Sequence, residues 1–295
     1  MNQNRQSLKH RLWNGLGMGL LLIPIVAYGI PHFLRPDRIA ETRSLFQGID
    51  YRREVRSLPR PIVIHIVKID LTAPNVRAFA TPGAATFDKT EVNAHTTSQF
   101  LNEFSLKLAI NANFFYRFRE ETPWDYFPHA GDRVNNVGQV TSDGQTYSAA
   151  ESEYPAICFS SQRAKIVEGT CPVETRQAVS GNEVLIKAGK PLAQMTKSDK
   201  PYPRSVVAID ATGQKLWLIL VDGKQRLYSE GMTIAELTDF VRQLGVDSAL
   251  NLDGGGSVTL AVSTPSGTKI LNSPIQNKIP MNERPIASHL GFYAE

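Results

Sequence analysis

The run Ile62-Val63-Ile64-His65-Ile66-Val67-Lys68-Ile69 is apolar at almost every position and reads as a strand buried on both faces. Asn75–Ala80 alternates between apolar and polar, as a half-buried strand does. Thr96-Thr97-Ser98-Gln99 has the spacing of a capping box and predicts a short helix through Phe104. Strand character returns at Lys107–Asn111. Pro155–Ser160 and Ala164–Glu168 predict a hairpin, with strands following near Thr175–Val179 and Glu183–Ile186. Ser205–Asp210 and Leu216–Asp222 are strongly apolar strands. A second capping box, Thr233-Ile234-Ala235-Glu236, opens a helix with Ile234, Leu237, Val241 and Leu244 on one face, and Gly245 ends it. Ser248–Leu252, Val258–Val262 and Ile286–Tyr293 complete the strands. Strands outnumber helices, so the pattern predicts a mixed α/β (α+β) fold: one domain with a substantial mixed sheet and few helices. Residues 116–150 are rich in turn formers, among them Pro123, Pro128, Gly131, Gly138 and Gly144. So long an irregular stretch inside a compact domain is often functional.

The N-terminal end has a different pattern. Leu12–Ile30 holds 19 residues without a charge, behind Arg5, Lys9 and Arg11. As a helix that length spans roughly 28 Å, close to the hydrocarbon core of a bilayer. Two readings fit: an uncleaved anchor with a cytoplasmic N-terminus, and a signal peptide cleaved near Ala27-Tyr28-Gly29. Either one exports the body of the chain, the first facing the periplasm or cell exterior from the membrane and the second releasing it. Pro31, Pro36 and Pro59 punctuate a charged stretch that reads as a linker. The expected organisation is therefore residues 1–30 as a hydrophobic helix, 31–60 as linker and 61–295 as a single domain.

Composition narrows the partners. The 295 residues are 42% apolar and 20% charged, enough for a packed core and against wholesale disorder. The net charge of +4 is uneven: residues 1–60 carry +6 and the remainder −2. A nearly neutral body argues against a nucleic-acid face. The two cysteines, Cys158 and Cys171, exclude a disulfide scaffold and a four-cysteine zinc site. In an exported chain they can be bridged; two buried thiols are the alternative. The six histidines form no H-x-x-x-H pair, and P-loop, dinucleotide and G-x-S-x-G motifs are absent. No metal or cofactor is expected.

Candidate chemistry concentrates in Asn251-Leu252-Asp253-Gly254-Gly255-Gly256-Ser257, between two apolar runs. Three successive glycines cost backbone entropy, which a close approach to a ligand explains. Their N–H groups could form an anion nest, with Asp253 aimed at the same space. Asn111 and Asn113, two apart at a strand end, point the same way and suit sugar hydroxyls or phosphate oxygens. Tyr202-Pro203-Arg204-Ser205 sets an Arg before a buried strand, and Asn282-Glu283-Arg284-Pro285 sets another before the last strand. An Arg can hold a phosphate bidentately. Asp222-Gly223-Lys224 stands at a strand exit.

In order, these clusters resemble the phosphodiester glycosidase family, which has bacterial members associated with exopolysaccharide. The stretches that carry the resemblance are INANFF (110–115), AVSG (178–181), PRSVVAID (203–210), LVDGKQRLYSEGMTIAEL (220–237), ALNLDGGGS (249–257) and NERPIAS (282–288). Many members have Arg where this chain has Lys224, and His where it has Tyr202. The resemblance implies hydrolysis of a sugar-1-phosphodiester at the anomeric carbon, in cell-envelope polysaccharide metabolism. Asp253 is then a site carboxylate, with Glu283 and Asp222 as candidates for its partner. Arg204, Arg284 and the amides of Gly254, Gly255, Gly256 and Ser257 would hold the phosphate. Asn111, Asn113 and Asn251 would orient sugar hydroxyls. The expected partners are a sugar-phosphate or polysaccharide substrate and, through the N-terminal helix, a membrane, with no nucleic acid. Non-catalytic binding of an anionic polysaccharide and glycosyl-phosphate transfer are the alternatives.

Overall fold

The computed structural model describes residues 29–84, 90–122, 124–192 and 199–295. The expected hydrophobic helix over residues 1–30 lies almost wholly outside them. Among the described residues, no helix is long and apolar enough to cross a membrane.

The described chain is mostly β, with three α-helices: α1 (Ile30–Phe33), α2 (Thr97–Glu103) and α3 (Ile234–Gln243). An eight-stranded sheet runs in the order Glu41–Phe46, Ile49–Arg56, Ile62–Asp70, Lys215–Val221, Arg204–Ile209, Ser248–Asn251, Glu183–Lys187, Lys190–Pro191. A five-stranded sheet runs Gly267–Ile270, Leu260–Thr264, Leu108–Asn111, His289–Tyr293, Arg77–Ala80. A second five-stranded sheet holds the Ala156–Phe159/Ala164–Val167 hairpin.

Two expectations are corrected. The sheets are not mixed: the strand pairs are antiparallel, and the one parallel contact among the described residues is an isolated bridge between Ile275 and Asn282. A near-continuous apolar strand usually signals a parallel sheet. Here it has another cause. Val67 and Ile69 face a core shared with Leu108, Ile110, Leu260 and Phe292 of the five-stranded sheet. Ile64 and Ile66 face the opposite way, toward Leu237, Phe240 and Val241 of α3. A central strand covered on both faces needs apolar residues at both parities, whatever its direction. The second correction concerns residues 31–60. Glu41–Phe46 and Ile49–Arg56 form a hairpin that extends the eight-stranded sheet, pairing with Ile62–Asp70 from Ile49 to Arg56. Alternation of charge with Ile49, Tyr51 and Val55 is the signature of a strand with one covered face.

Both capping boxes form. Thr96 and Thr233 each accept a hydrogen bond from the third helical N–H, and the Gln99 and Glu236 side-chain oxygens accept from the N–H of the cap residue. Residues 116–150 hold only short strands, including the small hairpin of Arg119–Glu120 with Tyr126–Phe127. Cys158 and Cys171 are bridged, with S–S 1.95 Å and Cα–Cα 5.8 Å.

Candidate active site

The triple-glycine segment is the crossover from the eight-stranded sheet to the five-stranded one, leaving Ser248–Asn251 and entering Leu260–Thr264. Its position is fixed by the first asparagine cluster. The Asn111 side-chain amide donates to the Asp253 carbonyl at 2.6 Å, and its Oδ1 accepts from the Ser205 hydroxyl at 2.8 Å. The Asp253 N–H donates to the Ala112 carbonyl at 3.0 Å. Arg204 begins the strand beside Asn251, with Val206 opposite Asn251 in the ladder. The 3.0 Å bond from the Gly255 N–H to the Pro203 carbonyl ties the glycine loop to that strand.

These ties place Asp253, Arg204, Asn251 and Gly254 on the wall of one cavity of about 290 Å³. Arg284 closes another side, with Phe114, Phe115 and Phe118. Asn182 and Tyr202 complete the lining. A larger cleft of about 430 Å³ lies beside Cys158, between Arg163, Lys165, Asp210 and Asp247, and holds none of the candidate site residues.

Asp253 is nearly buried, and its carboxyl is pushed up to about 6. Desolvation is the main cause, opposed by the Ser257 hydroxyl, the Arg284 charge, the Gly254 N–H and the Lys224 charge. The Gly254 N–H donates to Asp253 Oδ1 at 2.8 Å. Burial also works against the charge of Arg204. Arg204 Nη2 pairs with Asp199 at 3.1 Å, and its Nε donates to the Met232 carbonyl. Asp199 in turn accepts from the Ile234 N–H at the start of α3, at 2.5 Å. The Arg284 head is held on three sides. Nε donates to Gln276 at 2.6 Å, Nη2 to Glu120 at 2.6 Å, and Nη1 reaches the Ser257 hydroxyl at 3.4 Å. Its Cζ lies 4.6 Å from the Phe118 ring centroid. Asn251 donates to Asn182 Oδ1 at 2.8 Å, while its own Oδ1 is buried without a partner. Such an acceptor on a cavity wall is suited to a ligand hydroxyl.

The other nominated residues do not line this cavity. Asp222 lies in the core, with Oδ2 3.0 Å from His65 Nε2 and Oδ1 accepting from Asn272 and the Ser273 N–H. Glu283 accepts from the Ser98 N–H at 3.0 Å, capping the start of α2; burial raises its pKa. Asn113 donates to the Val137 carbonyl and accepts from the Ser180 N–H. Neither Asn111 nor Asn113 lines the cavity. Three of the four nominated amides are already bonded within the protein: the Gly254, Gly255 and Ser257 N–H groups donate to Asp253, Pro203 and Gly254. Instead, the glycines permit contact. A Cβ at Gly256 would sit 2.5 Å from Arg284 Nη2, and Gly255, at φ +65°, faces the Tyr202 hydroxyl.

Sequence reasoning marked Tyr202 as a departure from the family pattern, but did not nominate Asn182, Tyr202, Phe114, Phe115, Phe118 or Glu120 as site residues. Four of these had a signal, since Phe114 and Phe115 end INANFF, Tyr202 precedes Pro203-Arg204, and Asn182 follows AVSG. Among the described residues, no three His, Cys, Asp or Glu side chains gather as metal ligands.

The protein is thus of a class with antiparallel sheets whose inter-sheet crossover brings one buried carboxylate and two arginines to a small cavity. The family model for phosphodiester glycosidases matches residues 104–293, and the chain belongs to the phosphodiester glycosidase family. Solved structures that share the fold include the following three. One is a hypothetical protein from Synechocystis, at 13% identity and TM-score 0.63, matched over 88% of this chain and 64% of its own. This chain thus spans less than two thirds of that protein. Another is the catalytic domain of zebrafish N-acetylglucosamine-1-phosphodiester alpha-N-acetylglucosaminidase, auto-inhibited by its pro-peptide. It is 17% identical with a TM-score of 0.55, over 90% of this chain and 93% of that one. A Burkholderia pseudomallei protein matches at 14% identity and TM-score 0.57, over 79% of this chain and 74% of its own. No curated protein sequence matches the chain.

Proposed function

We propose that the chain hydrolyses a sugar-1-phosphodiester at the anomeric carbon, releasing the sugar and a phosphomonoester, on a cell-envelope polysaccharide. The observation that carries this reading is Asp253, a nearly buried carboxylate sharing a cavity with Arg204 and Arg284. Hydrolysis at an anomeric carbon needs a carboxylate that activates water or attacks the carbon. A group titrating near 6 is ionised at neutral pH, yet close enough to that pH to accept a proton efficiently. The C1–O bond breaks with its electron pair on the phosphate oxygen, and the water oxygen bonds to C1. The water proton passes to Asp253. The departing phosphomonoester is a good leaving group, so one carboxylate suffices and a strong general acid is not required. This agrees with the lining, in which Asp253 is the one carboxylate among the described residues. The arginines supply a positive field for the charge that grows on the phosphate. Asn251 Oδ1 takes a sugar hydroxyl, and the phenylalanines cover the ring's apolar face. The name of the zebrafish relative describes a sugar-1-phosphodiester, which agrees with the reaction class and sets no sugar here.

The reading also places the protein outside the cytoplasm. The basic leader before Leu12–Ile30 and the Cys158–Cys171 bridge both suit an exported chain.

The test is turnover of sugar-1-phosphodiesters, read as phosphate released after added phosphatase. Asp253→Asn should fold normally and lose about 10²–10⁴-fold in kcat. Turnover retained in that variant refutes the assignment.

A further inference from the structure

Arg204 and Arg284 line the cavity, Lys224 sits on the ring of the lining residue Tyr202, and the two arginines have their charge answered within the protein. Arg204 is paired with Asp199, and Arg284 with Glu120. Lys224 is different. No carboxylate among the described residues lies within ion-pair distance of its amine, and it is exposed. Yet it does not trail free into solvent. Its Nζ sits 4.3 Å from the centroid of the Tyr202 ring, which is itself a wall of the cavity. The Arg204 guanidinium carbon is 5.6 Å from the same centroid.

The turn that presents Lys224 is built tightly. Asp222 is locked into the core network, and a Cβ at Gly223 would lie 2.6 Å from the Pro203 nitrogen. Lys224 itself is at φ +56°. The turn therefore leans on Pro203, next to the residue whose ring carries the ammonium. Its charge also lowers the pKa of Asp253 against the burial that raises it, which places it in electrostatic reach of that carboxylate.

A cation seated on the ring of a cavity-lining tyrosine, with no carboxylate among the described residues at ion-pair distance, is suited to bind an anion that arrives with the ligand. We propose that Lys224, held in place by the Tyr202 ring, takes the phosphate of the substrate. This deepens the phosphodiester reading and rests on it. A phosphodiester carries one negative charge, and cleavage at C1 leaves a phosphomonoester that carries more. An uncommitted ammonium therefore gains attraction as the bond breaks. Arg204 and Arg284, already answered by carboxylates, shape the site and gain less. Tyr202 is a positioning residue that acts through Lys224.

The experiment is calorimetric titration of the full chain with inorganic phosphate, alongside turnover of a sugar-1-phosphodiester. Lys224→Met should weaken phosphate binding about tenfold or more and raise KM with lower kcat, while Lys224→Arg stays within about threefold of wild type. Tyr202→Leu should weaken phosphate binding in the same direction, and Tyr202→Phe, which keeps the ring face, should restore it. Arg226→Met, a charge change on the same turn, is expected to leave binding unchanged. Unaltered melting temperatures confirm that lost binding is not lost folding. Wild-type phosphate binding that survives Lys224→Met, that falls equally with Arg226→Met, or that is absent altogether overturns the proposal. Lys224-dependent phosphate binding in a wild type that turns over no sugar-1-phosphodiester overturns the hydrolase reading and leaves the anion subsite standing.

Discussion

Asp222 is the residue on which a catalytic and a structural assignment diverge most. Its carboxylate is 1% exposed and receives three hydrogen bonds: His65 Nε2, Asn272 Nδ2 and the Ser273 N–H, each at 3.0 Å. His65 Nδ1 lies 2.8 Å from the Tyr51 hydroxyl, so the chain of contacts runs from the Ile49–Arg56 strand through Ile62–Asp70 to the end of Lys215–Val221. Asp222→Ala removes the acceptor and strands three buried donors. Each unsatisfied donor costs about 1–3 kcal/mol, and neighbours relax together, so the total should be about 3–5 kcal/mol. For a domain of this size that lowers Tm by about 10 °C. Asp222→Asn is the informative partner. Its Oδ1 can still accept from Asn272 and Ser273, and its amide can donate to His65 Nε2 if the imidazole proton moves to Nδ1 and donates to Tyr51. That variant should lose only about 1 kcal/mol. The assay is thermal melting beside turnover, with kcat expressed per folded molecule. Both variants should hold kcat within about twofold of wild type at 25 °C, since a stability of 5–15 kcal/mol keeps Asp222→Ala largely folded. An Asp222→Ala protein that melts like wild type but has lost turnover refutes the structural assignment and returns Asp222 to the chemistry.

Three further outcomes follow from the same geometry. Asp253 titrates near 6, above the ordinary carboxylate range, so its stabilising contribution is complete below about pH 4 and is lost as pH rises through about 6. Asp253→Asn should therefore melt with wild type at pH 4 and above it at pH 7.5, by up to about 3 kcal/mol, while wild-type kcat falls as pH drops below about 6; equal melting at both pH values refutes the burial argument. Gly256→Ala drives a methyl group against the Arg284 guanidinium, which Gln276 and Glu120 prevent from yielding, so it should cost about 1–3 kcal/mol and reduce turnover; a silent variant means that Arg284 is free to move. Replacing Cys158 and Cys171 together by Ser opens a short loop and should cost about 3 kcal/mol in urea unfolding, with turnover retained.

The elements were legible wherever local periodicity and capping agree. Both capping boxes, the Ile62–Asp70 strand, the Ala156–Val167 hairpin and the strand on each side of the glycine loop follow from side-chain spacing alone. Strand direction did not follow. A central strand covered on both faces reads the same way parallel or antiparallel, because burial and not polarity sets its composition. The hairpin of Glu41–Phe46 and Ile49–Arg56 was hidden for a related reason: exposed arginines and acids on one face of the outer two strands resemble a charged linker.

The candidate site divides along the same line. Residue type marked Asp253, Arg204, Arg284, Asn251 and Gly254, because a carboxylate, a guanidinium or a glycine run beside buried strands is costly without a purpose. Type could not separate these from Asp222, Glu283, Asn111 and Asn113, which are equally polar and equally close to strand ends. Only the tertiary structure assigned those four to a core network, a helix cap and two backbone clamps. A buried polar group must be satisfied, and whether its partner is the protein's own backbone or a ligand is decided by what the remaining chain brings within 3 Å, often from more than a hundred residues away.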